Sequence, residues 1–240
     1  MIQRERIYEI DLAKAIAIIL VVLGHITLRS MPEGNEWYVI LRKMIYSFHM
    51  PLFMFLSGFL SFYTYREITA VRKYIAYAKR KFLRLMPAFF LFAMIIWVGK
   101  YVSSRYIYVD NVSSDLLSSV INFLIAPSSS VASNLWYIYV LFIYLLVTPV
   151  LFFLGRRVGL RKKSILVAAV MSGLVFHFFP KGGLTQYFAL ELVREYSFMF
   201  SLGMLSSMYW HEIISFVDKY TYLLAALFIG TFALYLTEIP

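Results

Sequence analysis

Apolar residues run along this chain in stretches near the ~20 residues a helix needs to cross a bilayer core, without the period-2 alternation of a membrane barrel strand. They fall at residues 9–28, 41–62, 82–102, 134–154, 164–180, 188–208 and 220–237. The pattern predicts an all-α fold, a polytopic transmembrane helical bundle of about seven spans. The first stretch, Ile10 to Leu28, is as long as a span and has no small-residue cleavage site behind it, so it is expected to stay as a span rather than leave as a signal peptide. The longest connection, Ser103 to Ser133, holds an amphipathic stretch, Asp115 to Ile125, and then a Ser-rich run after Pro127. It reads either as a segment lying along the interface or as a plain connecting loop. No soluble domain, internal repeat or long low-complexity tract interrupts the pattern, so residues 1–240 read as a single membrane domain.

The polar positions between the stretches alternate in charge. Arg4 and Arg6 precede the first stretch, and Arg66, Arg72, Lys73, Lys79, Arg80 and Lys81 fill the second loop. Arg156, Arg157, Arg161, Lys162 and Lys163 fill the fourth, whereas the loops between hold few cations: Arg29, Arg105 and Lys181. By the positive-inside rule the N-terminus and both basic loops are expected in the cytoplasm and the C-terminus outside, with Arg42 and Lys43 running against the trend. Composition agrees with a membrane chain: 61% of positions are hydrophobic and the mean hydropathy is +0.74. The net charge of +10 would point to nucleic acid in a soluble protein, but here its placement sets topology, and no nucleic-acid partner is expected. With no cysteine, a disulfide framework, a thiolate metal site and a Cys nucleophile are all excluded, and no metal site is expected.

Three ionisable residues interrupt the first stretch: Asp11, Lys14 and His25. At ~100° per residue the step from Lys14 to His25 closes about three turns, and Asp11 lies one turn before Lys14, so all three share a face. Charge at depth costs at least ~2.5–3.5 kcal/mol, which turns such a face toward the bundle or a wet cavity. The alternative places the Asp11–Lys14 pair at one interface, where Lys14 snorkels, and His25 at the other. Lys14 and His25 are roughly 16 Å apart along the axis, so one reaction can use both only through an extended substrate or a deep cavity.

In the second stretch His49 precedes Pro51, and Ser57 and Gly58 follow. Pro51 can kink the helix and the small pair lets a neighbouring backbone approach, while His49 fits a core histidine bonded to a carbonyl as well as a chemical role. At the start of the third stretch Arg80, Lys81 and Arg84 share one helical flank. Arginine's planar fork suits phosphate or carboxylate; the alternative is a collar on anionic headgroups, against which stands the position of Arg84 one turn inside the apolar segment. Asn134 to Tyr137 read as an interfacial aromatic belt, Glu191, Arg194 and Glu195 as pairs along one helix, and His177 and His211 as interfacial.

The segments IDLAKAIAIILVVLGH, FHMPLFMFLSGF, KRKFLRLMP, NLWYIYVLFIYLLVTPVL and FMFSLGM, spread over about residues 7–204, resemble the acyltransferase-3 family of integral membrane O-acyltransferases. The first three motifs are specific in order and spacing; the last two are looser apolar patterns. The resemblance implies transfer of an acyl group, most often acetyl, from cytoplasmic acetyl-CoA or another acyl-CoA to a hydroxyl of an envelope glycan or glycolipid. The chain would then be a multi-pass protein of the plasma or inner membrane, in contact with membrane lipid. The donor is a substrate, and no bound cofactor is expected.

The family's basic residue and histidine of the first span map to Lys14 and His25, and its paired arginines to Lys81 and Arg84, where lysine departs from the usual arginine. His25 would be the general base, suited by an unperturbed pKa of ~6.5, and Asp11 would orient Lys14. Lys14, Arg80, Lys81 and Arg84 would hold the anionic parts of the donor. His49 and Ser57 are accessory candidates, Ser57 as a nucleophile without an assigned base. Family members carry more spans than this chain shows, so the domain is expected to be incomplete at its C-terminal end. No G-x-S-x-G elbow or Cys–His pair offers another acyl-transfer chemistry. The rival reading is a transporter or flippase for an anionic lipid or sugar, whose path the same buried charges would line.

Overall fold

The apolar stretches fold as helices. A computed structural model describes residues 6–25, 36–109, 115–127, 130–131, 133–178 and 187–237, and no strand occurs among them. The helices are α1 (Tyr8–His25), α2 (Glu36–Tyr63), α3 (Val71–Ser103), α4 (Leu116–Ile125), α5 (Trp136–Arg157), α6 (Lys162–His177), α7 (Leu190–Met208) and α8 (Trp210–Thr237). Arg4, Arg29 and Lys181, used above for topology, lie outside the described residues.

Among the described residues, four helical segments are long and apolar enough to cross a membrane: Val39–Tyr63, Val71–Ser103, Ser133–Arg157 and Trp210–Leu234. The other three expected spans are not among these within the described residues. Helix α1 carries Glu9, Asp11 and Lys14, and α7 carries Glu191, Arg194 and Glu195, charges that a lipid-facing helix would not hold. Helix α6 has 16 residues, ~24 Å at 1.5 Å each against a ~30 Å hydrocarbon core. The described helices therefore support four spans directly, short of the seven expected.

Two boundaries also differ from those read in the sequence. Helix α3 starts at Val71 rather than residue 82, so Arg80, Lys81 and Arg84 sit more than two turns inside a helix and not at its entrance. Helix α8 starts at Trp210, and Tyr220, where the apolar stretch begins, has non-helical torsions (φ −116°, ψ 20°) that break it into two pieces. Hydropathy marks where an apolar stretch begins, and these helices start before that point.

The described residues form two compact units. One comprises residues 1–64 and 199–240. Its core holds Ile10 and Ala17 of α1 against Leu56 and Phe59 of α2, with Trp210 edge-on to Phe59 at 5.0 Å. In the same unit α2 and the second half of α7 approach through glycine: a Cβ on Gly58 would overlap the Phe200 carbonyl, and one on Gly203 would overlap the Phe55 carbonyl. This is the close approach expected at Ser57-Gly58.

The other unit comprises residues 65–198. Its core joins Met86, Phe89 and Ala93 of α3 to Phe123 of α4 and to Val131. The stretch from Asp115 is thus a capped helix with a buried Phe123; the Asp115 carboxylate accepts from the Ser118 hydroxyl and from the Ser118 and Leu117 N–H groups, and these bonds, the hydroxyl's foremost, hold its pKa below the usual range. Gly173 of α6 packs on the Phe198 backbone, and the Tyr144 hydroxyl of α5 donates to the Val193 carbonyl. Pro149 leaves the Leu145 carbonyl of α5 without its helical donor, and the Tyr77 hydroxyl of α3 supplies one at 3.1 Å.

Large apolar side chains such as Ile18 and Ile19 of α1, Leu91 and Ile95 of α3, and Leu227, Phe228 and Ile229 of α8 stand more than half or close to half exposed. Water does not hold a surface of that kind, and a bilayer does.

Candidate functional site

Helix α1 places Asp11 and Lys14 one turn apart near its N-terminus, where the helix dipole favours the carboxylate. Lys14 Nζ donates to Asp11 Oδ1 at 3.2 Å, and Arg6 Nε donates to Asp11 Oδ2 at 2.6 Å. One carboxylate between two cations leaves the cluster net positive. An ammonium has three donors, so the bond to Asp11 fixes Lys14 in place and leaves capacity for an anion. The sequence pointed to the Asp11–Lys14 pair; Arg6 was visible only as a topology charge.

His25 is the last residue of α1, and its side chain lies outside the described part of the structure. What positions its backbone is described. The Tyr46 hydroxyl of α2 donates to the Gly24 carbonyl at 3.2 Å. The Tyr46 ring packs flat enough on α1 that a Cβ on Gly24 would sit 3.1 Å from it. Tyr46 also lies edge-on to His49, with ring centroids 4.9 Å apart. His49 is buried at 1% exposure, and its Nδ1 meets the Ile45 carbonyl at 2.7 Å. A carbonyl only accepts, so Nδ1 carries a proton and donates it. His49 is therefore the carbonyl-bonded core histidine that the sequence allowed, joined through Tyr46 to the turn that ends in His25. Ser57 is half-buried on α2, one residue before the glycine contact with α7.

In the second unit Arg80, Lys81 and Arg84 share a flank of α3. Lys81 is half-buried with Nζ 5.4 Å from the Tyr77 ring centroid, inside cation–π range, while Arg80 and Arg84 are exposed. Since the Tyr77 hydroxyl is bonded to Leu145, Lys81 rests on a ring that is itself tied to α5. The arrangement offers one seated cation and two guanidinium groups able to turn toward a phosphate. The Asp11–Lys14 cluster and this trio belong to different units.

Sequence reasoning missed a further cluster. Glu67, in the connection after α2, pairs with Arg156 at the end of α5. Tyr65 packs at a tilt on Phe152, ring centroids 4.8 Å apart, and bonds to Arg156; burial pushes the Tyr65 hydroxyl pKa up, and the neighbouring guanidinium opposes that rise. Arg156 looked like one more loop cation. Among the described residues, no group of three or more His, Asp or Glu is placed to hold a metal ion.

Over residues 7–238 the sequence matches the acyltransferase-3 family, by its acyltransferase domain. The chain belongs to the acyltransferase-3 family. It is similar to nodulation protein NolL of Mesorhizobium japonicum, 32% identical over 145 residues, 59% of this chain and 35% of that protein. It is also similar to nodulation protein NolL of Sinorhizobium fredii, 40% identical over 87 residues, 35% of this chain and 23% of that protein. The match thus spans about a third or less of these curated relatives. No solved structure matches the chain. With four apolar helices of spanning length, this member of the family is an integral membrane protein. Two of the resembling segments, FHMPLFMFLSGF and FMFSLGM, supply Gly58 and Gly203 to one helix contact, which gives the looser of the two motifs a physical reason.

Proposed function

We propose that this protein is a membrane O-acyltransferase that moves an acyl group, acetyl in the first instance, from acyl-CoA to a hydroxyl of an envelope carbohydrate. The observation that carries the reading is the family match across residues 7–238, in which Lys14 and His25 stand on one face of α1. His25 takes the acceptor hydroxyl's proton, the oxygen attacks the thioester carbonyl, the C–S bond breaks as the C–O ester forms, and the proton passes to the CoA thiolate. Lys14, oriented by Asp11, and the Arg80, Lys81 and Arg84 flank are assigned to the anionic groups of the donor. The rise of roughly 16 Å from Lys14 to His25 calls for an extended donor, and acyl-CoA has phosphates at one end and its thioester at the other. In this reading the chain crosses the membrane seven times, with the charged faces of α1 and α7 turned to the bundle and the N-terminus in the cytoplasm.

The test is release of CoA thiol from acetyl-CoA by protein in nanodiscs, with and without an envelope glycan fraction, together with the appearance of ester-linked acetyl on the glycan. Thiol release that depends on the acceptor and yields the ester is expected. A protein that alters the sidedness of a fluorescent anionic lipid and releases no thiol would establish the flippase reading in its place.

A further inference from the structure

The connection 65–70, the start of α3 and the last two turns of α5 enclose a graded cleft. Its deeper part, about 420 Å³, is lined mainly by apolar groups, among them Val71, Tyr74, Pro149, Val150 and Phe153, and has Arg157 at its rim. A smaller part of about 260 Å³ shares the wall formed by Ile68, Thr69, Phe153 and Arg157 and adds Glu67 and Arg156. Both are lined mainly by apolar groups, the second adds the Glu67–Arg156 pair, and they share a wall.

Charge in the outer part does not cancel. Glu67 is paired with Arg156, so Arg157 gives the cleft a surplus positive charge. The Arg157 guanidinium lies over the Phe153 ring at 4.8 Å, which seats it where the apolar and ionic parts meet. The same rim carries the backbone of Thr69, Ala70 and Val71, where α3 begins with no side-chain cap. Both bordering helices are spanning segments that end here, so the cleft opens at the level of lipid headgroups.

We infer that this cleft is a binding site for an anionic phospholipid, its phosphate at Arg157 and the uncapped start of α3 and one acyl chain along Val150 and Phe153. The inference rests on the membrane reading and not on the acyl-transfer reading. Graded polarity distinguishes a lipid from a free phosphate, which has no use for the apolar part, and from an uncharged lipid, which has none for Arg157. Arg157 is exposed and its ring partner Phe153 is exposed too, so replacing it is expected to be tolerated by the fold.

The experiment is native mass spectrometry of protein released from nanodiscs containing equal phosphatidylglycerol and phosphatidylcholine, supported by crosslinking with a photoreactive phosphatidylglycerol. Wild type should retain phosphatidylglycerol preferentially and crosslink at the cleft. Arg157→Gln should lower that preference about fivefold, as expected for one cation at a membrane surface, whereas Arg105→Gln should not. Val150→Trp, which fills the apolar part, should lower retention of the lipid while Arg157 remains. Equal retention of the two lipids, or retention indifferent to Arg157→Gln and Val150→Trp, overturns the site. Extraction of the chain from bilayers by alkali would overturn the membrane reading and the site with it, whatever the acyl-transfer assay shows.

Discussion

Removing the Tyr77 hydroxyl tests how the second unit is held together, because its bond to Leu145 replaces one that Pro149 abolishes. In Tyr77→Phe the Leu145 carbonyl loses the donor that stands in for the missing helical N–H. An orphaned buried carbonyl costs ~1–3 kcal/mol in soluble proteins, but side-chain bonds between membrane helices average ~0.6 and reach ~1.7 kcal/mol. With Tyr77 half-buried near the end of a span, about 1 kcal/mol is expected. The assay is a double-mutant cycle with Pro149→Ala, measured by denaturant unfolding in detergent. Alanine at 149 restores the helical donor to Leu145, so Tyr77→Phe should cost at least ~0.5 kcal/mol less in that background. Equal costs in both backgrounds would refute the idea that Tyr77 compensates for the proline. Donor use should report the same cycle, since Lys81 rests on the Tyr77 ring.

The glycine contact predicts that Gly58→Ala and Gly203→Ala each cost ~2 kcal/mol or more in unfolding assays, because the colliding atoms are backbone, while Gly99→Ala and Gly230→Ala, with open space, are neutral or slightly stabilising. Arg84→Ala should raise the KM for acetyl-CoA more than Arg72→Ala in the thiol-release assay; equal effects would favour a headgroup collar. Reporters fused near Lys73 and Arg161 should be cytoplasmic, and an outside signal from either would reverse the orientation. His25→Gln should lower acyl transfer ~10²–10⁴-fold with membrane insertion unchanged, whereas His177→Ala should be mild; near-normal transfer by His25→Gln would remove it from the chemistry.

What the sequence could tell was limited to information carried within one helix. Apolar length located the helices, and the spacing of Asp11 and Lys14 foretold their bond, because both are local. Helix ends were less legible: from Val71 to Arg84 the chain is charged but contains neither glycine nor proline, so nothing stops the helix where the apolar stretch begins. Long-range pairs were not legible at all. Gly58 signalled a close approach without naming Gly203, and nothing local pairs Tyr77 with the carbonyl that Pro149 frees. Glu67 and Arg156 looked like loop charges because hydropathy reports composition, and their pairing depends on α3 and α5 packing side by side.

The same division bears on the proposed chemistry. Lys14 is fixed from within its helix, by Asp11, with Arg6 bound to the same carboxylate, and that arrangement would persist in α1 whatever packed against it. His25 is placed differently. The helical turn that carries it is tied to α2 by the Tyr46 hydroxyl, which donates to the Gly24 carbonyl. Tyr46 is in turn packed on His49, whose ring is bonded to its own helix. The position of the His25 backbone therefore depends on how α1 meets α2, and that of the Lys14 cation does not. Damage to the α1–α2 contact should separate the two functions, leaving anion binding at Lys14 while displacing His25 from the acceptor, which lowers kcat more than it raises the donor's KM.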